Sequence, residues 1–295
     1  MGLPGGATVA AYKLGSRASR LLPGPVATLA GRAMGLGMAG TDADRRRMVE
    51  RHLQRIHGGS LSPVALRREV QKAFDSYARY WVESFRLPEL SPEQLDAGMS
   101  YEGIEHLGAA LEGGKGVIMA LPHLGGWDFG GAWLATQGYP ITVVVEPLEP
   151  PELFRWFADF RQSLGLTVVP LGPDAGSAVL RALRANHLVG LLSDRDIGGG
   201  GIEVEFFGER TTLPAGPMTM ALRTGAPVLP TTVYFEGNHH HGVIRPAIDL
   251  TRQGSLREDV ARLTQVLASE LEILISKAPE QWHVFQPNWP SDHEV

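Results

Sequence analysis

The chain contains no cysteine among its 295 residues. This absence excludes disulfide bonds, thiolate metal ligands and a cysteine nucleophile, whereas it leaves the cellular compartment open. The chain also lacks any run close to the roughly 20 apolar residues that a membrane-spanning helix needs. A secretory signal peptide has basic residues followed by apolar ones. Here Lys13 and Arg17 follow the apolar residues of the N-terminus, so this order is missing. We therefore expect a soluble chain, or one that lies on a membrane surface.

Three common motifs of nucleophilic and nucleotide-binding enzymes are also missing. The sequence has no G-x-S-x-G nucleophile elbow, no P-loop, and no G-x-G-x-x-G that follows a predicted strand. The absence of both a cysteine and a nucleophile elbow favours direct transfer in a ternary complex, without a covalent enzyme intermediate.

Charge is distributed unevenly along the chain. The total is −5, which gives no indication of nucleic-acid binding. Residues 1–80 carry thirteen basic and five acidic side chains, a net charge of +8, which leaves −13 for the rest. A basic N-terminal third beside an acidic body indicates a surface for phosphate groups or anionic lipid, although an ordinary solvated helix face gives the same pattern.

The pattern of residues 7–57 predicts helices. Pro23 and Pro25 interrupt it, and the following residues 26–39 are small and apolar with Arg32 as their single charge. A basic and apolar helix pair of this kind fits binding in a membrane interface, and packing on the rest of the fold is an equal alternative.

Two further helix starts can be located. Thr41 with Asp44 predicts a start before the segment RRRMVERHLQRI, and Pro63 opens a longer helix over 62–86. The buried stripe of that longer helix is expected to contain Val64, Val70, Phe74, Tyr77, Trp81 and Phe85.

After Gly98 the pattern alternates between apolar strands and helices with short connections. The predicted strands cover 117–121, 141–145, 167–169, 188–192, 202–207, 228–236 and 240–246, and the last two are expected to form an antiparallel hairpin at one edge. Such alternation predicts an α/β fold with a mostly parallel central sheet flanked by helices. We expect a single domain over 1–295, in which 1–97 form a helical N-terminal layer that faces a membrane and 98–295 form the catalytic core.

Polar residues follow three of these strands. His123 comes directly after the first of them, Glu146 after the second, and Asp194 with Arg195 after the fourth. Ligands of such sheets bind at the carboxyl ends of the strands. If the winding is regular, these ends are adjacent, and His123 can face Asp194 across a cleft.

His123 is the strongest candidate for a catalytic group. A neutral imidazole can take a proton from a hydroxyl group, and a carboxylate on its other ring nitrogen would fix the tautomer. Asp128 and Asp194 both qualify as that carboxylate. The glycines after His123, Gly125 and Gly126, are expected to let a substrate approach and to offer backbone N–H groups to an oxyanion. A histidine that merely caps or packs the helix start is the alternative.

Other polar groups allow other interpretations. Arg161 and Arg195 can bind phosphate or a pantetheine–nucleotide donor, and each is equally open to a structural ion pair. A metal site from His123, Asp128, Asp194 and Asp196 is conceivable. The run His239–His241 offers three imidazoles that point different ways in a turn, so we expect no function from it.

The motifs together carry a resemblance. The segment His123-Leu-Gly-Gly-Trp-Asp128 is an H-x4-D motif at a strand-to-helix turn, followed by Asp194-Arg-Asp, Glu205-Phe-Phe-Gly and Pro214-Ala-Gly-Pro. In this order they resemble the lipid A lauroyl/myristoyl acyltransferase superfamily. The ending PEQWHVFQP from Pro279, with EPLEP from Glu146, is similar to its actinobacterial branch, the phosphatidylinositol mannoside acyltransferases.

The resemblance implies a glycerolipid-acyltransferase-like fold and an acyl-CoA-dependent O-acyltransferase of the cell envelope. The acyl group, for which palmitoyl is expected, would pass to a mannose hydroxyl of a phosphatidylinositol mannoside at the cytoplasmic face of the membrane. His123 would be the base and Asp194 its relay partner, where the closest branch has glutamate. Asp128 would orient His123 or the sugar, while Glu146, Arg161 and Arg195 would bind substrate. No cofactor or metal is implied, and the partners would be acyl-CoA, a membrane glycolipid acceptor and an anionic membrane surface, with no nucleic acid.

Three functions remain open from the sequence. The first is this acyl transfer, onto the named glycolipid, another glycolipid or a lysophospholipid, with the acyl chain in an apolar slot between sheet and helices. The second is a metal-dependent hydrolase built on the His/Asp cluster. The third is a lipid-binding protein on an acyltransferase fold that has lost its activity.

Overall fold

A computed structural model of the chain describes residues 5–293, the side chains of residues 5–8, 25 and 28 excepted. The ends of the predicted domain, residues 1–4 and 294–295, lie outside the described residues. The α-helices of the described part are α1 (Gly5–Leu21), α2 (Gly24–Thr41), α3 (Ala43–Ile56), α4 (Pro63–Arg86), α5 (Pro92–Ala97), α6 (Ile104–Glu112), α7 (Trp127–Thr136), α8 (Pro151–Ser163), α9 (Ala175–Arg184), α10 (Gly216–Thr224) and α11 (Leu256–Lys277).

The strands alternate with the helices of the second part of the chain. They are β1 (Met99–Glu102), β2 (Val117–Leu121), β3 (Ile141–Val145), β4 (Leu166–Pro170), β5 (Leu188–Leu192), β6 (Ile202–Phe206), β7 (Glu209–Leu213), β8 (Val228–Glu236) and β9 (His239–Ile244). Seven of them form one sheet in the order β1-β9-β8-β2-β5-β3-β4, and β6 pairs with β7 separately. Every pairing of the large sheet is parallel except β8 with β9, so the predicted α/β fold with a mostly parallel sheet is confirmed.

The predicted hairpin of the last two strands is present, but its position at the edge of the sheet was wrong. β8 pairs with β2 inside the sheet, and β1 lies outside β9 as the edge strand. The sequence interpretation had no strand before residue 117. The four residues of β1 are mostly exposed and only one of them is strongly apolar, so they lack the pattern of a buried strand.

The two faces of the sheet carry separate cores. Along β2, Ile118 and Ala120 pack with α9, α10 and α11 on one face, whereas Val117 and Met119 pack with α6, α7 and α8 on the other. This alternation follows from the twofold period of a strand. Both faces of a parallel sheet are covered in this way, which explains why β2 is apolar throughout.

Local capping chemistry sets where the helices of the N-terminal layer begin. Ser62 accepts a hydrogen bond from the backbone N–H of Ala65, and Pro63 takes the first helical position of α4. The predicted start at Thr41 was displaced by one residue, because Asp42 is the residue that caps α3. The predicted stripe of α4 was wrong at Val64, which is exposed, and it omitted Tyr80, which is buried.

Helices α1 and α2 pack on α4 and leave one side to solvent. Arg86 donates to the backbone carbonyl oxygens of Ser19 and Leu22, and Arg20 donates to that of Phe85, so the end of α1 is tied to α4. No helix within residues 5–293 is both long and apolar enough to span a bilayer.

Candidate active site

The site is built at the carboxyl ends of β2, β5 and β3, which are neighbours in that order. His123 follows β2, Asp194 follows β5 and Glu146 follows β3. The regular winding expected from the sequence therefore places the three polar clusters side by side.

His123 and Asp194 are in direct contact. Their side chains meet with Nδ1 2.7 Å from Oδ1, and the backbone N–H of His123 donates to Oδ2 at 2.8 Å. An ionised carboxylate only accepts hydrogen bonds, so we assign the Nδ1 proton to the imidazole. The other nitrogen, Nε2, then carries the lone pair. It has no hydrogen-bond partner among the described residues, and the side chain is 22% exposed.

Asp194 is fully buried, and its charge is balanced by donors. Burial alone would raise the pKa of this carboxyl group, but the neighbouring His123 and hydrogen bonds from His123 and Trp282 lower it overall. The Asp194 side chain is therefore ionised at neutral pH. It can stabilise an imidazolium on His123 after proton uptake.

The C-terminal segment holds this pair in place, a role that the sequence interpretation missed. Trp282 Nε1 donates to Asp194 Oδ2 at 2.6 Å, and the side-chain amide of Asn288 donates to the Asp194 carbonyl oxygen at 3.1 Å. The backbone N–H of His283 donates to the His123 carbonyl oxygen at 2.7 Å. The segment PEQWHVFQP carried the family resemblance, and this was the one available signal that its residues lie at the site.

His283 is a second histidine close to the first, but it is fully buried. Burial, followed by the nearby His123, lowers its pKa to about 3. Its Nε2 lies 2.9 Å from Ser76 Oγ, and its Nδ1 has no partner among the described residues. A neutral ring of this kind packs under the turn that carries His123 and has no access to substrate.

Asp128 does not contact His123. It accepts two hydrogen bonds from Arg161, at 2.9 and 3.2 Å, and one from the Tyr80 hydroxyl at 2.7 Å. Burial and then the charge of Asp128 raise the pKa of Tyr80 well above its usual value. Of the two carboxylates that the sequence left open as partners of His123, the structure therefore places Asp194 there and ties Asp128 to a buried ion pair.

The Asp128–Arg161 ion pair helps to hold Trp127, whose ring packs against the ring of His123. The Tyr80 ring stacks on Trp127 with the ring centroids 4.2 Å apart, and the Trp127 ring meets the His123 ring edge to face at 5.7 Å. Asp128 follows Trp127 in the sequence, so its hydrogen bonds with Arg161 and Tyr80 anchor the first turn of α7. Sequence reasoning missed Tyr80, although its spacing of three residues from Tyr77 on α4 could have suggested it.

The expected roles of Gly125 and Gly126 were wrong. The backbone N–H of Gly125 donates to the Gln281 carbonyl oxygen and that of Gly126 to the Val233 carbonyl oxygen, so neither donor is available to an oxyanion. Gly125 has a φ of +63°, and a Cβ there would lie 2.1 Å from the Val233 carbonyl oxygen. This glycine allows β8 to approach, not a substrate.

The remaining predicted site residues lie around the cleft and differ in whether another side chain already occupies them. Arg195 is half-buried and has no hydrogen-bond or ion-pair partner among the described residues, whereas Arg161 is occupied by Asp128. Glu146 is exposed at the end of β3. Within residues 5–293 no three histidine, aspartate or glutamate side chains are grouped as ligands of a metal ion, and Asp196 accepts a backbone N–H from Gly201 instead.

An apolar cavity opens beside the base. It lies between α7 and the sheet, begins at Trp127, Asp128 and Arg161, and extends across the strands as far as Tyr101 of the edge strand β1. Its floor carries side chains such as Met119 and Leu192. His123 itself does not line the cavity, and the Trp127 ring lies between the two.

Sequence similarity to known proteins identifies the family of the chain. The sequence profile of the bacterial lipid A biosynthesis acyltransferases matches residues 3–291. The phosphatidylinositol mannoside acyltransferase of Mycobacterium tuberculosis H37Rv is 40% identical over 250 residues, which cover 83% of this chain and 77% of that protein. The enzyme of the same name from Mycolicibacterium smegmatis is 40% identical over 226 residues, 76% of this chain and 73% of that protein.

A more distant relative comes from another group of bacteria. The lipid A biosynthesis acyltransferase of Haemophilus influenzae is 29% identical over 198 residues, 65% of this chain and 59% of that protein. The resemblance expected from the H-x4-D motif and the C-terminal segment is thereby confirmed. The chain belongs to the bacterial lipid A biosynthesis acyltransferase family.

Proposed function

We propose that the chain transfers a long-chain acyl group from acyl-CoA to a mannose hydroxyl of a phosphatidylinositol mannoside, with palmitoyl as the expected chain. The observation that carries the proposal is the His123–Asp194 pair with its free Nε2, together with an apolar cavity that begins at the neighbouring Trp127 ring. The two mycobacterial relatives named for this acceptor, each 40% identical to the chain, support the choice of substrate.

The chemistry follows from the atoms at the base. The acceptor hydroxyl gives its proton to His123 Nε2, while its oxygen attacks the thioester carbonyl carbon, and Asp194 stabilises the imidazolium that results. The new C–O bond forms, the C–S bond breaks, and the thiolate leaves. The proton on Nε2 then passes to the thiolate. Because a thiol has a pKa near 8.5, no strong general acid is needed, and no enzyme nucleophile is used.

Substrate binding divides between an apolar and a polar region. The cavity beneath α7 takes the acyl chain, with about 0.8 kcal/mol gained for each methylene group that is buried. Arg195 follows Asp194 in the sequence, has no ion-pair partner among the described residues, and binds a phosphate group of the donor or the acceptor. Glu146 accepts hydrogen bonds from sugar hydroxyls. Arg161 acts through Asp128 and does not bind the phosphate.

The first two helices hold the protein on the cytoplasmic face of the membrane as a peripheral enzyme. Half of the large exposed apolar side chains of the described residues lie on them, including Leu21 at 85% exposure. Lys13, Arg17 and Arg32 lie exposed among these side chains and supply positive charge toward anionic lipid. The acceptor is thus presented to the carboxyl edge of the sheet while the donor arrives from solution.

The reaction can be tested with the purified chain. Palmitoyl-CoA and a phosphatidylinositol mannoside are incubated with enzyme in EDTA, and free thiol and acylated lipid are followed by mass spectrometry. We expect both products in equal amounts. Thiol without acylated lipid would refute the acceptor and leave the donor in place. If neither product forms, and an added divalent metal produces hydrolysis, the metal-dependent hydrolase replaces the acyltransferase.

A further inference from the structure

Two glycines occur within the strands of the described residues, and both line the apolar cavity. They are Gly190 in the middle of β5 and Gly242 in β9. A glycine inside a strand is unfavourable because it has no side chain to pack, and it often marks the close approach of a ligand. A glycine that packing does not require would therefore keep space open for a ligand.

The backbone of β5 does not require a glycine at position 190. Gly190 does not have a positive φ, so any residue can adopt its conformation. A Cβ at this position would lie 3.3 Å from Val143 Cγ1 and 4.0 Å from Leu121 Cδ1, close but not in collision with backbone. Gly242 is less informative, because a Cβ there would meet the Met99 side chain at 2.6 Å, so packing alone explains it.

The register places Gly190 at the centre of the cavity floor. It lies opposite Met119 of β2 and Val143 of β3, and both of these side chains line the cavity. Val189, one residue before it, is fully buried on the other face. A central position of a parallel sheet is normally covered on both faces. Here Gly190 and Val143 are only half-buried, because the cavity lies above them.

We propose that Gly190 determines the length and bulk of the acyl chain that the enzyme accepts. This inference rests on the proposed function, because it assigns the cavity to the acyl chain. Gly130 and Gly131 of α7 line the same cavity, so its helix side also has positions without side chains. A narrow cavity of this kind, or slot, fits a straight acyl chain that lies flat between α7 and the sheet, and excludes a branched acyl chain.

A side chain at position 190 should shorten the acyl chain that fits into the cavity. Valine brings three carbon atoms into the slot and displaces roughly as many methylene groups of the substrate. Each methylene group that leaves the slot is expected to lower the affinity about fourfold. The Gly190→Val variant should therefore prefer lauroyl- or myristoyl-CoA and lose about 10- to 100-fold of its kcat/KM with palmitoyl-CoA. Gly190→Ala should show the same trend to a smaller extent.

The opposite change is available at the neighbouring strand. Val143→Ala removes the side chain that Gly190 faces, so it should widen the slot and improve the rate with stearoyl-CoA relative to palmitoyl-CoA. This variant also keeps the test decisive if valine at position 190 impairs folding. Gly172→Ala is the matched control, because a Cβ on this exposed glycine meets no atom within 4 Å.

The experiment measures kcat/KM for decanoyl-, lauroyl-, myristoyl-, palmitoyl- and stearoyl-CoA with a fixed glycolipid acceptor. The rise in unfolding temperature on adding each acyl-CoA is recorded without acceptor. We expect the preferred acyl chain to be shorter than in wild type for Gly190→Val, longer for Val143→Ala and unchanged for Gly172→Ala. An unchanged length profile in folded position-190 variants, with an active wild type, would overturn the role of Gly190 alone. A wild type that neither transfers nor binds any acyl-CoA would overturn both proposals.

Discussion

Asp194 holds His123 at two points, the backbone N–H through Oδ2 and the ring Nδ1 through Oδ1. A single carboxylate thereby fixes both the turn after β2 and the orientation of the imidazole. Because one group serves both purposes, the geometry of the base depends directly on the end of β5.

Replacing Asp194 by asparagine should abolish most of the activity without unfolding the protein. Asparagine can still accept hydrogen bonds, but it cannot stabilise the imidazolium and allows the wrong tautomer of His123. We expect kcat to fall by roughly 10³- to 10⁴-fold. Asp196→Asn makes the same chemical change two residues later, where the side chain accepts only a backbone N–H, and should leave kcat within a few-fold of wild type.

The measurement for this pair is the steady-state rate, with circular dichroism to show that both variants are folded. Equal losses in the two variants would show that the aspartates act as one cluster, for example around a metal ion. That result would contradict the relay between Asp194 and His123.

Trp282→Phe should weaken the relay by removing one donor to Asp194. The pKa of this carboxyl group is held low partly by the Trp282 hydrogen bond, so it rises when the donor is lost. The His123–Asp194 pair then binds a proton more tightly. We expect the acid limb of the pH profile of kcat/KM to move to higher pH, and the rate to fall about tenfold.

Trp289→Phe is the matched control for this change. The Trp289 ring is equally buried, but its N–H donates to the Phe206 carbonyl oxygen, away from the relay. Both variants should lose stability to a similar extent. If both shift the pH profile equally, Trp282 has only a packing role.

The Asp128–Arg161 pair should matter mainly for stability. Asp128 is buried and the Arg161 side chain is only 15% exposed, so Asp128→Ala or Arg161→Ala leaves a charge unpaired in the interior and should lower the free energy of unfolding by about 3–5 kcal/mol. The double variant should cost clearly less than the sum of the two. The exposed pair Glu152–Arg155 is the control and should contribute under about 1 kcal/mol.

Urea unfolding of the four members of each double-mutant cycle gives these values. Additive losses at Asp128 and Arg161 would mean that the two side chains stabilise the fold independently. The buried ion pair would then not be what anchors the first turn of α7.

Stability should decrease in mild acid because His283 is buried in its neutral form. Its pKa is about 3 in the folded state and near 6.5 in an unfolded chain, so the unfolded state takes up the proton first. The stability is complete above about pH 6.5 and falls as the pH drops toward the folded pKa. Between pH 7 and pH 5 the loss from this one group is about 2 kcal/mol.

The His283→Gln variant should remove that part of the pH dependence while keeping a polar group near Ser76. His239→Gln changes an exposed histidine and should leave the dependence as it is in wild type. Unfolding free energies at pH 7 and pH 5 provide the comparison. The assignment fails if the two variants show the same pH dependence as each other.

The sequence predicted the central strands β2, β3 and β5 to the residue, because their apolar runs are bounded by glycine, proline or polar residues. It also placed His123 where it can face Asp194, since carboxyl ends of adjacent parallel strands lie at one edge, but it left Asp128 open as the other partner. The edge strand β1 was not predicted, because its side chains are largely exposed and its pairing with β9 is a contact between distant parts of the chain.

The environment of the base was harder to predict for the same reason. Trp282 and Asn288 reach Asp194 from about 90 residues away, and no local pattern specifies such a contact. The partner of Asp128 is also distant, since Arg161 lies on α8 and Tyr80 on α4. The glycines after His123 were misinterpreted because a close approach of β8 and a close approach of substrate require the same residue.

The central claim is that His123 removes the proton from the acceptor hydroxyl. The most direct measurement compares the rate of acylated lipid formation by wild type and His123→Ala, from palmitoyl-CoA and phosphatidylinositol mannoside in EDTA, with His239→Ala as control. The account predicts a loss of roughly 10³-fold or more for His123→Ala, an unchanged unfolding temperature and a normal rate for His239→Ala. Acyl transfer at the wild-type rate by His123→Ala would contradict it.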